Sequence, residues 1–354
     1  MRIAFFIGQM KAGGAEKVLS VLANHYAAKG WDVDIIMLLG DCVNSSHFDL
    51  NPTINVVNLS RKGSYFKNII PWLISIRRHI KRTRPSVVVS FIGRINALVL
   101  TALLGKNIPV IVSERSDPNH DGRGLFMAKY CNWIYRFSQA IVFQTNYQKN
   151  CFPKTLDKKA VVIPNPIKVV PKPENQIDRL ICTSGRLHPC KNQHMLIDAI
   201  SFLIKDFPDV KCHILGDGEL FDKLNHQIID LNISNNVILL GNKKNINEYV
   251  SKCSVFVMTS EFEGLSNALM EAMMLGKICI STDYAGVEDL ITDGVDGLII
   301  PRGDTRALAN ALSSIFHDQS GQYTNLGKNA REKMMGYEIE NILKQWDQLI
   351  SNFL

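Results

Sequence analysis

The chain has 354 residues, 46% of them hydrophobic and 21% charged, with 23 Gly and 13 Pro, which excludes a disordered, collagenous or fibrous polypeptide. At roughly 150 residues per domain this length predicts two domains, each able to bury a core without disulfide staples. The net charge of +7 is unevenly spread: residues 1–165 hold 22 Lys+Arg against 9 Asp+Glu, whereas residues 166–354 hold 18 against 24, so the first half suits polyanions such as phosphate, nucleic acid or an anionic membrane surface.

Short β-rich runs alternate with longer helical ones, the pattern of a parallel sheet wound with helices. Strands are predicted at Arg2–Gly8, Trp31–Leu38, Ile54–Leu59, Ser86–Ile92, Val110–Glu114, Ala140–Phe143 and Val161–Ile163. A linker with Pro164, Pro166, Pro171 and Pro173 follows, and the alternation restarts at Leu180–Thr183, Val210–Leu215, Val237–Leu240, Val255–Met258 and Ile278–Ser281. Two doubly wound domains about a Pro-rich hinge predict a ligand cleft between the carboxyl ends of their sheets. The most apolar stretch, Ile95 to Val112, is interrupted by Asn96, Lys106, Asn107 and Pro109 and is unsuited to spanning a bilayer, and Ile3 to Ile7 is too short for a signal peptide. The eight cysteines (Cys42, Cys131, Cys151, Cys182, Cys190, Cys212, Cys253 and Cys279) form no C-x-x-C, and several lie in apolar runs. They read as reduced core thiols of a cytosolic protein.

Gly13 and Gly14 follow the first strand, where missing Cβ atoms let backbone N–H groups approach a phosphate or an acceptor; glycines at such turns also occur without any ligand. No G-x-x-x-x-G-K-[ST] and no G-x-G-x-x-G occurs, which argues against an NTPase or a dinucleotide-binding dehydrogenase. Asp32-Val33-Asp34 is a literal D-x-D with both carboxylates on one strand face; it reads as a polar strand start, and no metal is expected. Between Arg61 and Arg84 eight basic residues (Arg61, Lys62, Lys67, Arg77, Arg78, Lys81, Arg82, Arg84) are interleaved with apolar ones. Ile69, Leu73, Ile76 and Ile80 make a helical stripe that packs on the sheet. This leaves Tyr65, Phe66 and Trp72 beside dense positive charge, an arrangement suited to anionic lipid headgroups. Ser113 to Asn119 closes the fifth strand and faces the predicted cleft; Glu114 and Arg115 in it could also form an ion pair at the domain edge.

Arg186 and Lys191 sit at the first strand-to-helix turn of the second domain. A planar fork and a compact charge there can together neutralise a nucleoside diphosphate without a metal, although an ordinary turn also carries such surface charges. The segment from Glu261 to Ala272 follows a buried strand and opens a helix whose amino end presents the N–H groups of Gly264, Leu265, Ser266 and Asn267 to a phosphate or a sugar oxygen. Glu263 stands at that mouth and Glu271 about two turns along on roughly the same face, so the two could hold hydroxyls of two parts of one ligand. On spacing alone, a helix cap and a solvated side chain fit Glu263 and Glu271 equally well.

Glu263 and Glu271, with seven residues between them, match the E-x7-E motif of the retaining family 4 glycosyltransferases of GT-B fold. The chain resembles that family further in Gly185-Arg186-Leu187 followed by Lys191-Asn192, in Gly216-Asp217-Gly218-Glu219, in Gly241, in the glycine-rich Gly13-Gly14-Ala15-Glu16-Lys17, in the hinge Ile163-Pro164-Asn165-Pro166, and in a final helix from Tyr337 to Leu349 with Trp346. The resemblance implies an α/β fold of two doubly wound Rossmann-like domains: 1–165 for the acceptor, 166–335 for the nucleotide sugar, and 336–354 as a helix crossing back onto the first domain. It implies that Arg186 and Lys191 grip the diphosphate, that Glu263 contacts the transferred sugar and that Glu271 holds the ribose. Further donor contacts are implied for Gly13, Gly14, Gly185, Gly216, Asp217, Gly218, Gly241, Gly264, Leu265, Ser266 and Asn267.

The S-E-R-x-D-P sequence around Glu114 and Arg115 is similar to subgroups acting on lipid-linked oligosaccharides, which implies an acceptor-side role for those two residues. Many members place a His near this point, whereas here His120 falls several residues later. The implied reaction moves a hexose or N-acetylhexosamine from a UDP-sugar to a glycan on undecaprenyl diphosphate, in O-antigen or capsule-type synthesis, with no cofactor and no metal. No residue matches a nucleophile on the far face of the sugar, which favours front-face attack. The protein is expected in the cytoplasm, peripherally on the anionic inner face of the membrane, without a nucleic-acid partner. A metal-free nucleotide-sugar epimerase of the same fold and a basic nucleic-acid-binding protein are the alternatives.

Overall fold

The computed structural model describes residues 1–11, 13–40, 48–171 and 175–354; Cys42, Pro173 and the side chains of Tyr65 and Phe66 lie outside the described residues. The chain forms two compact units, one of Met1–Pro166 with Glu340–Leu354, the other of Ile167–Ile339.

The first unit runs β1 (Arg2–Ile7), α1 (Gly14–Ala28), β2 (Asp32–Met37), β3 (Asn55–Asn58), α2 (Tyr65–Thr83), β4 (Val87–Phe91), α3 (Gly93–Leu103), β5 (Val110–Ser113), α4 (Gly124–Ile134), β6 (Ala140–Phe143), α5 (Asn146–Asn150) and β7 (Ala160–Val162). Its seven strands are all parallel, in the order β3-β2-β1-β4-β5-β6-β7. Burial on both faces explains the near-continuous Val, Ile and Phe of β1 and β4. Alternation sends Ile3, Phe5 and Ile7 to one face and Ala4 and Phe6 to the other. Helix α1 covers the first face, and α2, α3 and α4 cover the second.

The second unit runs β8 (Leu180–Ser184), α6 (Gln193–Leu203), β9 (Lys211–Leu215), α7 (Phe221–Asp230), β10 (Val237–Gly241), α8 (Ile246–Val250), β11 (Val255–Met258), α9 (Asn267–Met274), β12 (Ile278–Thr282), β13 (Leu298–Ile300), α10 (Thr305–His317) and α11 (Thr324–Met335). Its six strands are parallel, in the order β10-β9-β8-β11-β12-β13. Strand β13 has no counterpart among the predicted strands; three residues after Gly297 give too short a run to register as a period.

The last helix, α12 (Ile339–Ser351), joins the first unit's core. Ile342, Trp346 and Ile350 are buried there, and Trp346 stacks on Phe91 with ring centres 6.4 Å apart. Asp347 on its other side receives His25 at 3.0 Å and Lys29 at 2.5 Å from α1, a second tie between the chain's end and its first helix. The seven described cysteines are free thiols, five of them buried.

Candidate active site

In the second unit the strand order reverses between β8 and β11, so the loops leaving these two strands diverge and open a crevice at their carboxyl ends. Gly185 follows β8 and donates its N–H to Leu215 O at 2.9 Å; Gly216 follows β9 and donates to Gly241 O at 2.9 Å. These turns are nested so closely that a Cβ on Gly216, at φ +135°, would stand 1.9 Å from Gly185 O, and one on Gly218 would stand 2.3 Å from Leu187 O. Only glycine lets the two backbones meet this way. Asp217 turns its carboxylate onto Gly218 N–H at 2.7 Å and is otherwise exposed.

Lys191 and Glu263 come together at this crevice. Lys191 Nζ is ion-paired with Glu263 Oε1, which also accepts from the Ser260 hydroxyl at 2.7 Å; the two side chains are 22% and 13% exposed. Beside them Asn192 donates to Glu261 Oε1 at 2.6 Å, and Thr259 donates to Lys191 O at 2.8 Å, fastening the β8 loop to the β11 loop. Arg186 lies in the β8 loop and is exposed, and its guanidinium has no hydrogen-bond or ion-pair partner among the described residues. The crevice therefore offers one open cation, one held cation and a carboxylate oxygen, Glu263 Oε2, that no protein donor takes among the described residues.

The carboxylate pair differs from the sequence expectation. Helix α9 begins at Asn267, not at Gly264, because Ser266 is its N-cap and its hydroxyl accepts from Leu269 N–H. Glu263, Gly264 and Leu265 belong to the preceding loop, so Glu263 and Glu271 do not share a helix face; only Glu271 is on the helix, one turn beyond Asn267.

At the corresponding edge of the first unit, Gly13 is the extended N-cap of α1 and Gly14 its first residue. A Cβ on Gly13 would stand 2.2 Å from Glu16 Oε2, so the chain's own carboxylate already lies against this turn. The Glu114–Arg115 step separates into two environments. Glu114 is fully buried, accepts from Arg123 at 2.9 and 3.3 Å, and takes the Tyr135 hydroxyl as well. These three hydrogen bonds all run inside the unit and give Glu114 the ion pair that was the other reading of this step, a structural role that does not require the acceptor-side one expected of it. Burial opposes the Arg123 charge, but Glu114 and then Tyr135 and Asp121 outweigh it and raise its pKa; burial, followed by Glu114, raises that of Tyr135. Arg115 is also buried, donates to Asn165 Oδ1 at 2.9 Å, and is pulled down to about 9 by burial alone. Of the D-x-D, Asp32 is exposed and pairs with Arg2 at 3.4 Å, while Asp34 is buried between Asn55 at 2.8 Å and His79 at 3.4 Å.

The basic segment needs a second correction. Trp72 is 1% exposed and donates its indole N–H to Leu59 O at 3.0 Å, so it belongs to the core with Ile76 and Ile80. Among the described residues, the large apolar side chains standing in solvent on these helices include Ile70 and Ile74 on α2, at 69% and 53% exposure, and Leu125 and Phe126 at the start of α4, at 81% and 93%. Helix α3 packs between α2 and α4 on one side of the sheet, so both exposed groups lie on the same side. A cavity of ≈ 780 Å³ opens where α2 and α3 end, lined by Arg77, Arg78, Lys81, Arg84 and Lys106 with apolar Ile80 and Leu103. In the sequence α4 shows only a Leu-Phe step directly after Gly124, outside the basic segment and with no stripe of its own.

Comparison with known proteins agrees with this architecture. Residues 12–170 match the model described as Glycosyltransferase Family 4, and residues 167–333 that described as Glycosyl transferases group 1. A Campylobacter jejuni relative named GalNAc-alpha-(1->4)-GalNAc-alpha-(1->3)-diNAcBac-PP-undecaprenol alpha-1,4-N-acetyl-D-galactosaminyltransferase is 28% identical over 370 residues, spanning 99% of this chain and 98% of its own. An Escherichia coli relative named UDP-Gal:alpha-D-GlcNAc-diphosphoundecaprenol alpha-1,3-galactosyltransferase is 33% identical over 170 residues, 47% of this chain and 42% of its own. The crystal structure of Anabaena HepE in complex with UDP superposes with a TM-score of 0.83 at 19% identity, over 99% of this chain and 100% of that one, a likeness of fold. With one model on each half and the two Rossmann-like sheets of the GT-B fold, the chain belongs to the family 4, group 1 glycosyltransferases.

Proposed function

We propose that this glycosyltransferase moves a hexose or N-acetylhexosamine from a UDP-sugar to a glycan carried on undecaprenyl diphosphate, with retention at the anomeric carbon and without a metal. The observation that carries the reading is the placing of the Lys191–Glu263 pair and of Arg186, whose guanidinium has no partner among the described residues, at the β8–β11 crossover of the second unit. In this reading the two cations take up the charge of the departing diphosphate, and fixed donors of this kind stabilise a transition state without reorganising. They supply the charge neutralisation that a divalent cation supplies in other transferases. Glu263 holds Lys191 in place through Oε1 and keeps Oε2 for a hydroxyl of the transferred sugar, while Glu271 holds the ribose. In a front-face route the bond from the anomeric carbon to the phosphate oxygen breaks, the bond to the acceptor oxygen forms on the same side, and the acceptor proton passes to the departing phosphate.

The donor and acceptor are supported by the relatives: one is named for a UDP-galactose donor, two for undecaprenol-linked acceptors, and a neighbour in fold was crystallised with UDP. No helix among the described residues is long and apolar enough to cross a membrane. The side of the first unit formed by α2, α3 and α4, with Ile70, Ile74, Leu125 and Phe126 exposed among many Lys and Arg, fits peripheral binding to an anionic bilayer, where such an acceptor resides. Incubation with a panel of nucleotide sugars, with and without an undecaprenyl-diphosphate glycan and with EDTA present, tests the reading. Transfer that requires the acceptor and survives EDTA is the expected result; conversion of donor alone, or loss of transfer restored by Mn²⁺, contradicts it.

A further inference from the structure

At the carboxyl edge of the first unit's sheet, three buried N–H donors have no acceptor among the described residues: Nε and Nη2 of Arg115 and Nε1 of Trp346. Arg115 follows β5, Trp346 stands on α12, and Phe91 ends β4. The guanidinium carbon is 5.4 Å from the Phe91 ring centre and 5.7 Å from that of Trp346. The one engaged nitrogen, Nη1, donates to the neutral Asn165 Oδ1, which also accepts from Gln144 at 2.7 Å. Glu114, next in sequence, is taken by Arg123 and Tyr135, and no carboxylate among the described residues pairs with Arg115.

A buried charge is ordinarily paired, and buried N–H groups ordinarily find acceptors. Here a cation with two free donors lies against the rings of Phe91 and Trp346, and the indole N–H of Trp346 is free as well among the described residues. A sugar hydroxyl would leave the charge uncompensated. A planar carboxylate would fill the guanidinium fork but not reach the indole from a second direction, whereas a tetrahedral oxyanion has oxygens for both. We propose that Arg115 and Trp346 form a receptor for a phosphate group in the first unit, separate from Arg186 and Lys191 in the second. Whether that phosphate belongs to the nucleotide sugar or to the diphosphate-linked acceptor rests on the transferase reading; the receptor itself does not. Only 7% of Arg115 is open, so a phosphate arrives as the packing over the fork moves aside, and the indole reports its arrival.

The test uses the full chain with Arg186→Ala and Lys191→Ala combined, which silences the second unit's cations, and titrates inorganic pyrophosphate while following tryptophan fluorescence and Tm. The expected result is a saturable fluorescence change and a raised Tm, with affinity at least tenfold weaker once Arg115→Met is added. Trp346→Phe keeps a ring but removes the N–H, and weakens the Tm response while abolishing the fluorescence change. Arg115→Met exchanges an unpaired buried charge for an apolar chain of similar length, so the protein should be as stable as its parent or more so, and lost binding will not reflect unfolding. No pyrophosphate response in the double variant, or one that survives Arg115→Met or Trp346→Phe unchanged, overturns the proposal. In the otherwise unaltered chain, UDP and geranyl diphosphate in micelles identify the source: Arg115→Met weakens the one that occupies the receptor, and weakening of neither overturns the assignment. Failure of the transferase reading looks different, as UDP binding indifferent to Arg186→Ala and Lys191→Ala.

Discussion

Lys191 and Glu263, 72 residues apart in the chain, are joined through Nζ and Oε1, with the Ser260 hydroxyl 2.7 Å from the same oxygen. The pair fastens the loop after β8 to the loop after β11, the two loops that diverge at the strand-order crossover. A lysine so held is a positioned charge, and the carboxylate that positions it also competes with an incoming phosphate for its ammonium group.

That competition gives the first prediction. Glu263→Gln removes the negative charge next to Lys191 but keeps a polar group beside Ser260. UDP should bind as tightly as to the parent or tighter, while kcat falls by at least about tenfold, a barrier increase of about 1.4 kcal/mol. Calorimetry with UDP and steady-state rates separate the two effects. A parallel loss of UDP affinity would show that Glu263 assists diphosphate binding and does not compete with it.

Glu114 and Arg123 form a fully enclosed pair, and removing one partner strands a buried charge. Arg123→Ala is expected to lower unfolding free energy by about 3–5 kcal/mol, read from urea unfolding followed by circular dichroism. An effect below about 1 kcal/mol would mean that water reaches Glu114.

Much of this molecule was legible from residue order alone, for particular reasons. Each of the seven strands expected in the first half forms within a residue or two of its predicted span, because β1 and β4 are buried on both faces and so read as unbroken apolar runs. The arrival of Trp346 in the first unit's core was implied by family resemblance; periodicity could say that α12 has an apolar stripe but not which core it joins. Trp72 was misplaced because an aromatic among cations looks amphipathic in one dimension, while its indole N–H partner, Leu59 O, lies in the loop after β3. Glu114 likewise looked available beside Arg115, yet its ion-pair partner is nine residues further on and turns it inward. The start of α9 was placed early because Gly264 looked like a helix mouth, whereas the Ser266 hydroxyl sets the first turn three residues later.

Membrane binding separates the exposed residues from the buried tryptophan. Phe126→Ser with Leu125→Ser should lower sedimentation with phosphatidylglycerol vesicles by several-fold while leaving Tm unchanged, since both side chains stand in solvent. Trp72→Ala should instead lower stability by about 3–5 kcal/mol, as for other large core aromatics. Vesicle binding indifferent to the Leu125 and Phe126 changes would remove α4 from the membrane face.

Acid should loosen the tie between α12 and α1. Burial favours the neutral form of Asp347, but the hydrogen bonds and charges of Lys29 and His25 outweigh it and hold its carboxyl below the usual range. Asp34 is lowered in the same way, burial being outweighed by His79, Asn55 and Arg2. A depressed carboxylate contributes stability above its unfolded value of about 3.9 and loses it as pH falls through the lower folded value. Urea midpoints should therefore hold steady down to about pH 4 and drop below it. Asp347→Asn should start less stable at neutral pH and show a shallower acid loss; an unchanged acid slope would exclude Asp347 as a contributor.

The central claim is that Arg186 and Lys191 receive a nucleoside diphosphate, and titration calorimetry with UDP on the intact chain and on Arg186→Ala and Lys191→Ala tests it most directly. The account predicts saturable binding to the intact chain and a Kd weakened at least about tenfold in each variant, the worth of one charge-assisted phosphate contact. Absence of binding to the intact chain, or an affinity in both variants equal to that of the intact chain, would contradict it.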